Sequence, residues 1–326
     1  MNKERILIAV DSGKYAVKAM AKYKGQVFST TFRTKMQSVN RLGVDIQPGS
    51  YLVQYNADSY LIGDMIGEEF SDYALSKNST IHQLSIYTSI AILMQKAKVP
   101  AYTEVKLAVN VPISTYKDSF QKETFKKRIE NANQTINLVV NGQEMTFDLK
   151  DVTIGFEGMG EIYANPELYR DKGTIIVDIG GLNTTLCQFK GLNPVLSTMV
   201  VSDLGINVLK GKIGKRINEM FSLTVSQDDL EQILRSGYFA SRGIVHEESK
   251  TIIEETKWEH LQQIIQFAQS RQYTFNMSDI HFVGGGAYTL RTYIKREFPN
   301  AQIVANPQFA NCRSFLKILE VKNQNG

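Results

Sequence analysis

Two segments about half the chain apart place an aspartate and glycines directly after an apolar run. In the first, Asp11-Ser12-Gly13 follows the run 6–10, and in the second, Asp178-Ile179-Gly180-Gly181 follows the run 174–177. Each segment continues with a second stretch of alternating character and ends at a Lys-Gly pair. Apolar, β-branched runs separated by a glycine turn are typical of hairpins. Both segments therefore predict a β-hairpin with an aspartate at its turn.

The residue types in these turns are those that bind a phosphate and a cation beside it. Glycine lets backbone N–H groups approach an anion closely, so phosphate is the expected ligand. A carboxylate next to phosphate repels it unless a cation lies between them, so Asp11 and Asp178 are predicted as inner or outer ligands of Mg²⁺. The other predicted binding residues are Ser12, Gly13 and Lys14 or Lys18 in the first turn, and Gly180, Gly181, Asn183 and Thr184 in the second. One such turn alone would more often be a plain hairpin, and the matched pair favours phosphate.

A third glycine-rich turn follows a third apolar run. The run 280–283 leads into Gly284-Gly285-Gly286 and then into a helix-like segment, 288–298. Consecutive glycines cost conformational entropy, because each has more backbone freedom to lose. A surface where a flat ligand group packs on bare backbone explains them better than a turn alone.

These three segments, in this order, resemble the phosphate-1, phosphate-2 and adenosine motifs of the actin/Hsp70/sugar-kinase superfamily. Within it, the chain is similar to the bacterial actin-like plasmid-segregation ATPases of the ParM type. Further similar segments are TIHQL at 80–84, KLAVNVPISTY at 106–116, DLGIN at 203–207 and FANCRSF at 309–315. The resemblance covers nearly the whole chain.

The resemblance implies a two-lobed, actin-like α/β fold with the nucleotide held in the cleft between the lobes. Residues 1–165 would form domain I, with a small subdomain inserted at about 30–105, and residues 166–309 would form domain II. The C-terminal helix, 310–326, would return to domain I. The alternation of strand-like runs with amphipathic segments supports the α/β class independently.

The resemblance also implies roles for three charged residues. Glu157 matches the residue that orients the attacking water near the γ-phosphate, where the helix linking the lobes begins after a strand. The alternative for Glu157, as for Glu161, is a first-turn glutamate stabilised by the helix dipole. Glu231 and Arg235, on an expected helix at 228–236, match the region that flanks the base, or else form a solvated helix face. Asn110 and Ser314 replace glycines that the family usually has at hinge-like positions.

Composition excludes several classes of protein. The chain has 326 residues, 43% apolar and 21% charged, which is typical of a globular protein with two domains or one two-lobed unit. A net charge of +4 is too small and too scattered to favour nucleic acid as the main partner. Cys187 and Cys312 show neither a disulfide framework nor metal-binding spacing, which favours the reducing cytoplasm. No apolar run approaches the roughly 18 residues of a membrane span.

We therefore expect an actin-like ATP hydrolase that uses ATP and Mg²⁺, with GTP left open as the nucleotide. It would polymerise into filaments on ATP binding and disassemble after hydrolysis, driving plasmid DNA segregation through an adaptor protein bound to the plasmid centromere. Direct binding to nucleic acid or membrane is not expected.

Two alternatives share the fold. A small-molecule kinase is disfavoured because the chain is short and shows no second acidic base. A non-polymerising, nucleotide-gated binding module is disfavoured because no substrate-binding domain follows residue 326.

Overall fold

The computed structural model describes residues 4–72, 77–100 and 103–324, and within these ranges the protein is mixed α/β. The chain divides into two units. The first comprises Met1–Leu168 and Phe309–Gly326, and the second comprises Tyr169–Gln308. Among the described residues, no helix has the length and apolar character needed to cross a bilayer.

The described residues of the first unit form ten strands in two sheets. They are β1 (Arg5–Ser12), β2 (Ala16–Tyr23), β3 (Gln26–Arg33), β4 (Met36–Ser38), β5 (Ser50–Tyr55), β6 (Asp58–Gly63), β7 (Glu104–Val111), β8 (Ile136–Val140), β9 (Gln143–Phe147) and β10 (Thr153–Phe156). One sheet has the order β10-β7-β1-β2-β3, and the other has the order β4-β6-β5-β8-β9. The second sheet thus takes strands from 136–147 as well as from the range expected for the small subdomain.

Three helices of the first unit precede β8: α1 (Thr80–Lys96), α2 (Ile113–Lys117) and α3 (Ser119–Ile129). Helix α1 is apolar around most of its circumference, and it packs against β1, β2, β3 and β8. A helix that is apolar all round belongs in the interior, so α1 lies at the centre of the core of this unit. Asp118 begins α3, because its side chain accepts hydrogen bonds from the N–H groups of Phe120 and Gln121.

The second unit has its own sheets and core. Its strands are β11 (Gly173–Ile179), β12 (Thr184–Lys190), β13 (Asn193–Pro194), β14 (Val200–Ser202), β15 (Phe239–Ser241), β16 (Ile244–His246), β17 (Asp279–Val283) and β18 (Gln302–Ile303). Its helices are α4 (Ile206–Phe221), α5 (Gln227–Ser236), α6 (Glu248–Ser270), α7 (Gly285–Thr289) and α8 (Arg291–Glu297). The main sheet has the order β13-β12-β11-β17-β18, with β14 added beside β12.

The two units repeat one arrangement of strands. In the first, β1 pairs antiparallel with β2 and parallel with β7, and in the second, β11 pairs antiparallel with β12 and parallel with β17. Both predicted hairpins are therefore confirmed. Successive residues of β1 and β11 are buried, so both faces of these strands are covered, which explains the nearly unbroken apolar runs before Asp11 and Asp178. The last helix, α9 (Ala310–Gln324), packs against β1, β2 and β7 of the first unit.

Candidate functional site

The first turn, residues 11–15, joins β1 to β2 and brings Asp11 and Lys18 together. These two residues are directly opposite in the antiparallel register. A Cβ at Gly13 would lie 2.5 Å from the carbonyl oxygen of Ala16 and 3.1 Å from Nζ of Lys18, so only glycine fits this close approach. The Lys18 ammonium makes no hydrogen bond or ion pair with any residue the structure describes. It therefore remains available to an anion, whereas the side chain of Lys14 is buried.

Ser12 presents an unused hydroxyl in the same turn. Its Oγ is fully buried and has no hydrogen-bond partner in the described structure. Its backbone N–H donates to Oδ1 of Asn110 at 3.1 Å. A buried polar atom without a partner is costly. Ser12 thus fits the predicted role of contacting a phosphate or the water shell of a cation.

The Asp11 carboxylate is held by two amides from distant parts of the chain. Asn110, at the end of β7, donates from Nδ2 to Oδ1 of Asp11 at 2.6 Å. Asn311, in the first turn of α9, donates from Nδ2 to the other oxygen at 3.1 Å. Asp11 is only 8% exposed. Both oxygens are oriented, and each keeps a lone pair that can accept from a water molecule bound to a cation.

Glu157 follows β10 directly, as predicted, but the helix expected to begin there is absent. Residues 157–165 form turns, and Gly158 and Gly160 have positive φ angles of 84° and 60°. That backbone conformation does not continue a right-handed helix. The Glu157 carboxylate, 14% exposed, instead forms an ion pair with Lys77, with 2.8 Å between Oε1 and Nζ. Since the segment is not helical, a helix dipole does not explain this glutamate.

Helix α9 fixes the turns that follow Glu157. The Gly160 N–H donates to Oδ1 of Asn311 at 2.9 Å. Oγ of Ser314 accepts from the Tyr163 N–H at 3.1 Å and donates to the Gly160 carbonyl at 2.8 Å. Glu161 forms an ion pair with Arg313, which leaves Glu157 as the glutamate of this segment that faces the Asp11 network.

The second turn, residues 178–183, offers three adjacent backbone donors. The N–H groups of Gly181, Leu182 and Asn183 donate to no described residue. The start of α4 holds this turn in place. The N–H groups of Ile206 and Asn207 donate to the carbonyls of Gly180 and Gly181 at 3.1 and 2.8 Å. A run of free N–H groups on a rigid turn forms an anion-binding nest. This geometry fits a phosphate.

Thr184, at the start of β12, makes a contact within the second unit. Its side chain is fully buried, and its hydroxyl donates to the Leu204 carbonyl at 2.7 Å. This hydrogen bond joins β12 to the residues before α4. A contact of Thr184 with the ligand stays a prediction.

Two of the three glycines at 284–286 are explained by packing within the second unit. A Cβ at Gly284 would lie 2.4 Å from Oδ1 of Asp178, and one at Gly286 would lie 2.3 Å from Cγ2 of Ile179. A Cβ at Gly285 would meet nothing within 4 Å. Gly285 is therefore the position that presents bare backbone, while its neighbours let α7 approach β11.

Glu231 and Arg235 lie on α5, as predicted, but in different environments. Glu231 forms an ion pair with Lys210 of α4, whose side chain is 5% exposed. Arg235 is exposed and lines a surface depression together with Asp228, Gln232 and Ser236 of the same helix. Arg235 is thus accessible to a base, whereas Glu231 also helps to join two helices.

Among the residues the structure describes, no group of three or more His, Cys, Asp or Glu side chains could hold a metal ion. Within the described residues, Asp11 and the unpartnered Ser12 hydroxyl fit a Mg²⁺ ion that is bound mainly by phosphate and water, and the Lys18 ammonium opposite Asp11 fits the phosphate. When bound, such an ion neutralises phosphate charge and polarises the phosphoryl group.

Lys77 and Asn311 were not predicted as site residues from the sequence, and Asn110 was identified there only as a departure from the family pattern. These side chains contact Asp11 or Glu157 across 80 to 300 positions of the chain. Their one sequence signal is Asn110 in place of the glycine expected before Val111-Pro112.

This chain resembles known proteins in sequence over part of its length and in fold over nearly all of it. Residues 9–160 match the family model of the N-terminal domain of actin-like proteins. Comparison with curated proteins gives no significant match.

Solved structures of actin homologues share the fold of nearly the whole chain. The archaeal actin homologue Ta0583 is 13% identical with a TM-score of 0.80, covering 97% of this chain and 99% of its own. Ta0583 is also known in complex with ADP, with 14% identity and a TM-score of 0.75 over 97% and 99% of the two chains. A 15-stranded ParM filament from Clostridium botulinum gives 17% identity and 0.77 over 97% and 99%. The Alp12 filament gives 24% identity and 0.72 over 98% and 99%. The predicted actin-like α/β fold and the resemblance to actin-like proteins of the ParM type are confirmed.

Proposed function

Because this chain has the actin fold and an actin-like N-terminal domain, we propose that it is a filament-forming ATPase. Its first and second turns would each bind phosphate groups of a Mg-nucleotide. The proposal rests on the first and second turns, which both present hydrogen-bond donors suited to phosphate. One has an unpartnered buried hydroxyl and a free ammonium, and the other has three free N–H groups.

The roles of the turns follow from their donors. Lys18 and Ser12 would contact phosphate oxygens in the first turn, and the N–H groups of 181–183 would do so in the second. Asp11 and Asp178 would hold the waters of Mg²⁺, and Gly285 would lie under the adenosine. The ADP complex of the archaeal homologue supports a nucleotide as the ligand. ATP is the nucleotide that we propose, with GTP as the alternative.

Hydrolysis would use Glu157. Its carboxylate is partly exposed and lies in the same network as Asp11, so it can orient a water molecule or accept its proton. The filaments that the ParM and Alp12 relatives form support self-assembly, and plasmid segregation through a DNA-bound adaptor is the cellular role that we propose for this chain.

The test is sedimentation of the pure protein with Mg-ATP, Mg-ADP and no nucleotide, with phosphate release measured in the same samples. We expect ATP-dependent pelleting and release of phosphate. Pelleting without hydrolysis would leave a filament protein without an ATPase. Hydrolysis without pelleting at any concentration would favour the non-polymerising alternatives.

The site itself is tested by titration with Mg-ADP. Asp11→Ala and Asp178→Ala should each weaken binding at least tenfold, about 1.4 kcal/mol, because each removes a carboxylate that compensates the charge of the metal. Asp58→Ala, at the exposed first residue of β6, is the control and should bind like the unaltered protein. Unchanged affinity in both site variants would contradict the proposed site.

A further inference from the structure

We propose that Lys77 is a positioning residue that sets the direction of the Glu157 carboxylate relative to the first turn. This inference rests on the proposed ATPase function. The side chain of Lys77 has no exposed surface. A fully buried ammonium is costly unless it is paired and hydrogen-bonded, so its partners define where it lies.

Lys77 contacts Glu157, the proposed water-orienting residue, and Asn110, which contacts the first turn. Its Nζ lies 2.8 Å from Oε1 of Glu157 and donates to Oδ1 of Asn110 at 3.2 Å. Asn110 in turn accepts from the N–H of Ser12 and donates to the Asp11 carboxylate. The Lys77 ammonium thus connects Glu157, the proposed water-orienting residue, to the proposed phosphate-binding first turn within the first unit.

The backbone alone leaves the Glu157 side chain undirected. The Glu157 N–H donates to the Val111 carbonyl at 3.1 Å, which fixes the main chain beside β7. The residues that follow Glu157 form turns and not a helix, so a following helical turn does not orient its carboxylate. The ion pair with Lys77 is the contact that selects one direction for it, and a misdirected water-orienting group lowers the rate without removing binding contacts.

The prediction distinguishes positioning from a purely structural role. Lys77→Met should lower the turnover rate for phosphate release by about 100-fold, while the affinity for Mg-ADP changes by less than about threefold. Glu157→Gln should lower turnover by a few hundredfold. If Lys77 acts through Glu157, the double variant should be no slower than Glu157→Gln alone, because the two losses are not independent.

The experiment measures single-turnover phosphate release and Mg-ADP affinity for both single variants and the double variant. The matched control is Lys22→Met, which removes the Lys22–Glu320 ion pair of 2.7 Å in the same unit and should leave turnover unchanged. Far-UV circular dichroism checks folding. Lys77→Gln, which keeps a hydrogen-bond donor, replaces Lys77→Met if the latter does not fold.

Two results would overturn the inference. One is that the losses multiply in the double variant, and the other is that Lys77→Met hydrolyses ATP as fast as Lys22→Met. Absence of hydrolysis in the unaltered protein would instead overturn the proposed function, and this inference with it.

Discussion

Two polar side chains stand where the family resemblance leads one to expect glycine, and both make buried hydrogen bonds in the first unit. Asn110 is fully buried and contacts both Asp11 and Ser12. Ser314 is fully buried and contacts the backbone on either side of Glu161. A glycine at either position would remove these contacts. The hinge-like freedom implied for these positions is therefore replaced here by fixed hydrogen bonds.

Asn110→Ala is expected to lower both stability and nucleotide binding. It removes a donor to the buried Asp11 carboxylate and an acceptor of Lys77, so the free energy of unfolding should fall by about 2–3 kcal/mol. Urea denaturation with and without Mg-ADP measures both effects. Asn137→Ala is the control, because Asn137 accepts a hydrogen bond from Thr146 at an exposed site and its loss should cost under about 0.5 kcal/mol. Equal effects in the two variants would contradict the role of Asn110.

His82 should make the protein less stable in mild acid. Burial and the nearby positive charge of Lys77 lower the pKa of His82 to about 3, from an ordinary value of 6.5. Between pH 6.5 and pH 3 the unfolded chain therefore binds a proton at His82 that the folded chain does not bind. The contribution of His82 to the free energy of unfolding is fully present above pH 6.5 and is lost as pH falls toward 3. Linkage gives a loss of about 2 kcal/mol from His82 between pH 7 and pH 5.

The measurement is the free energy of unfolding at these two pH values for the unaltered protein and for His82→Leu. The variant should lose about 2 kcal/mol less than the unaltered protein, since both ring nitrogens lack hydrogen-bond partners among the described residues and the substitution removes no hydrogen bond to them. An identical pH dependence in both proteins would show that another group is responsible.

At the scale of elements, the contact of α7 with β11 allows the packing role of Gly286 to be tested separately from the proposed binding role of Gly285. Gly286→Ala would place its Cβ against Ile179 and should destabilise the second unit by about 1–3 kcal/mol. Gly285→Ala meets open space and should leave stability unchanged, but it should weaken Mg-ADP binding about tenfold if adenosine packs there. Thermal denaturation and titration of both variants test this. Normal affinity in Gly285→Ala would move the adenosine site elsewhere.

The elements near the site were partly predictable from sequence. Both hairpins were predicted because their apolar runs and glycine turns are local signals. The helix at Glu157 was wrongly expected from the resemblance, since Gly158 and Gly160 adopt conformations set by contacts with α9. The amides around Asp11 were not predicted, because Asn110 and Asn311 lie 99 and 300 positions away, and one sequence carries no signal of such pairings.

At the scale of the whole molecule, nucleotide state should control assembly. In the proposed function, the γ-phosphate of ATP adds contacts that ADP lacks, and a conformation that favours the filament is stabilised by the difference in affinity between the two nucleotides. The critical concentration should therefore be about tenfold lower with a non-hydrolysable ATP analogue than with ADP, which requires only about 1.4 kcal/mol per subunit. Sedimentation over a concentration series gives both values. Equal values would leave a filament without a nucleotide switch.

The hydrogen bond from Asn311 to Asp11 also has a consequence for protein synthesis. A ribosome makes Asp11 and Asn110 early, then all of the second unit, and only afterwards Asn311 and Ser314. Since N-terminal parts of a chain generally fold first, the first unit begins to fold while Asp11 still lacks its second amide and the turns after Glu157 lack α9. A nascent chain therefore acquires a complete first turn only after residue 314 is made. For the proposed ATPase, we expect this order of synthesis to delay tight nucleotide binding and thereby the assembly of unfinished subunits.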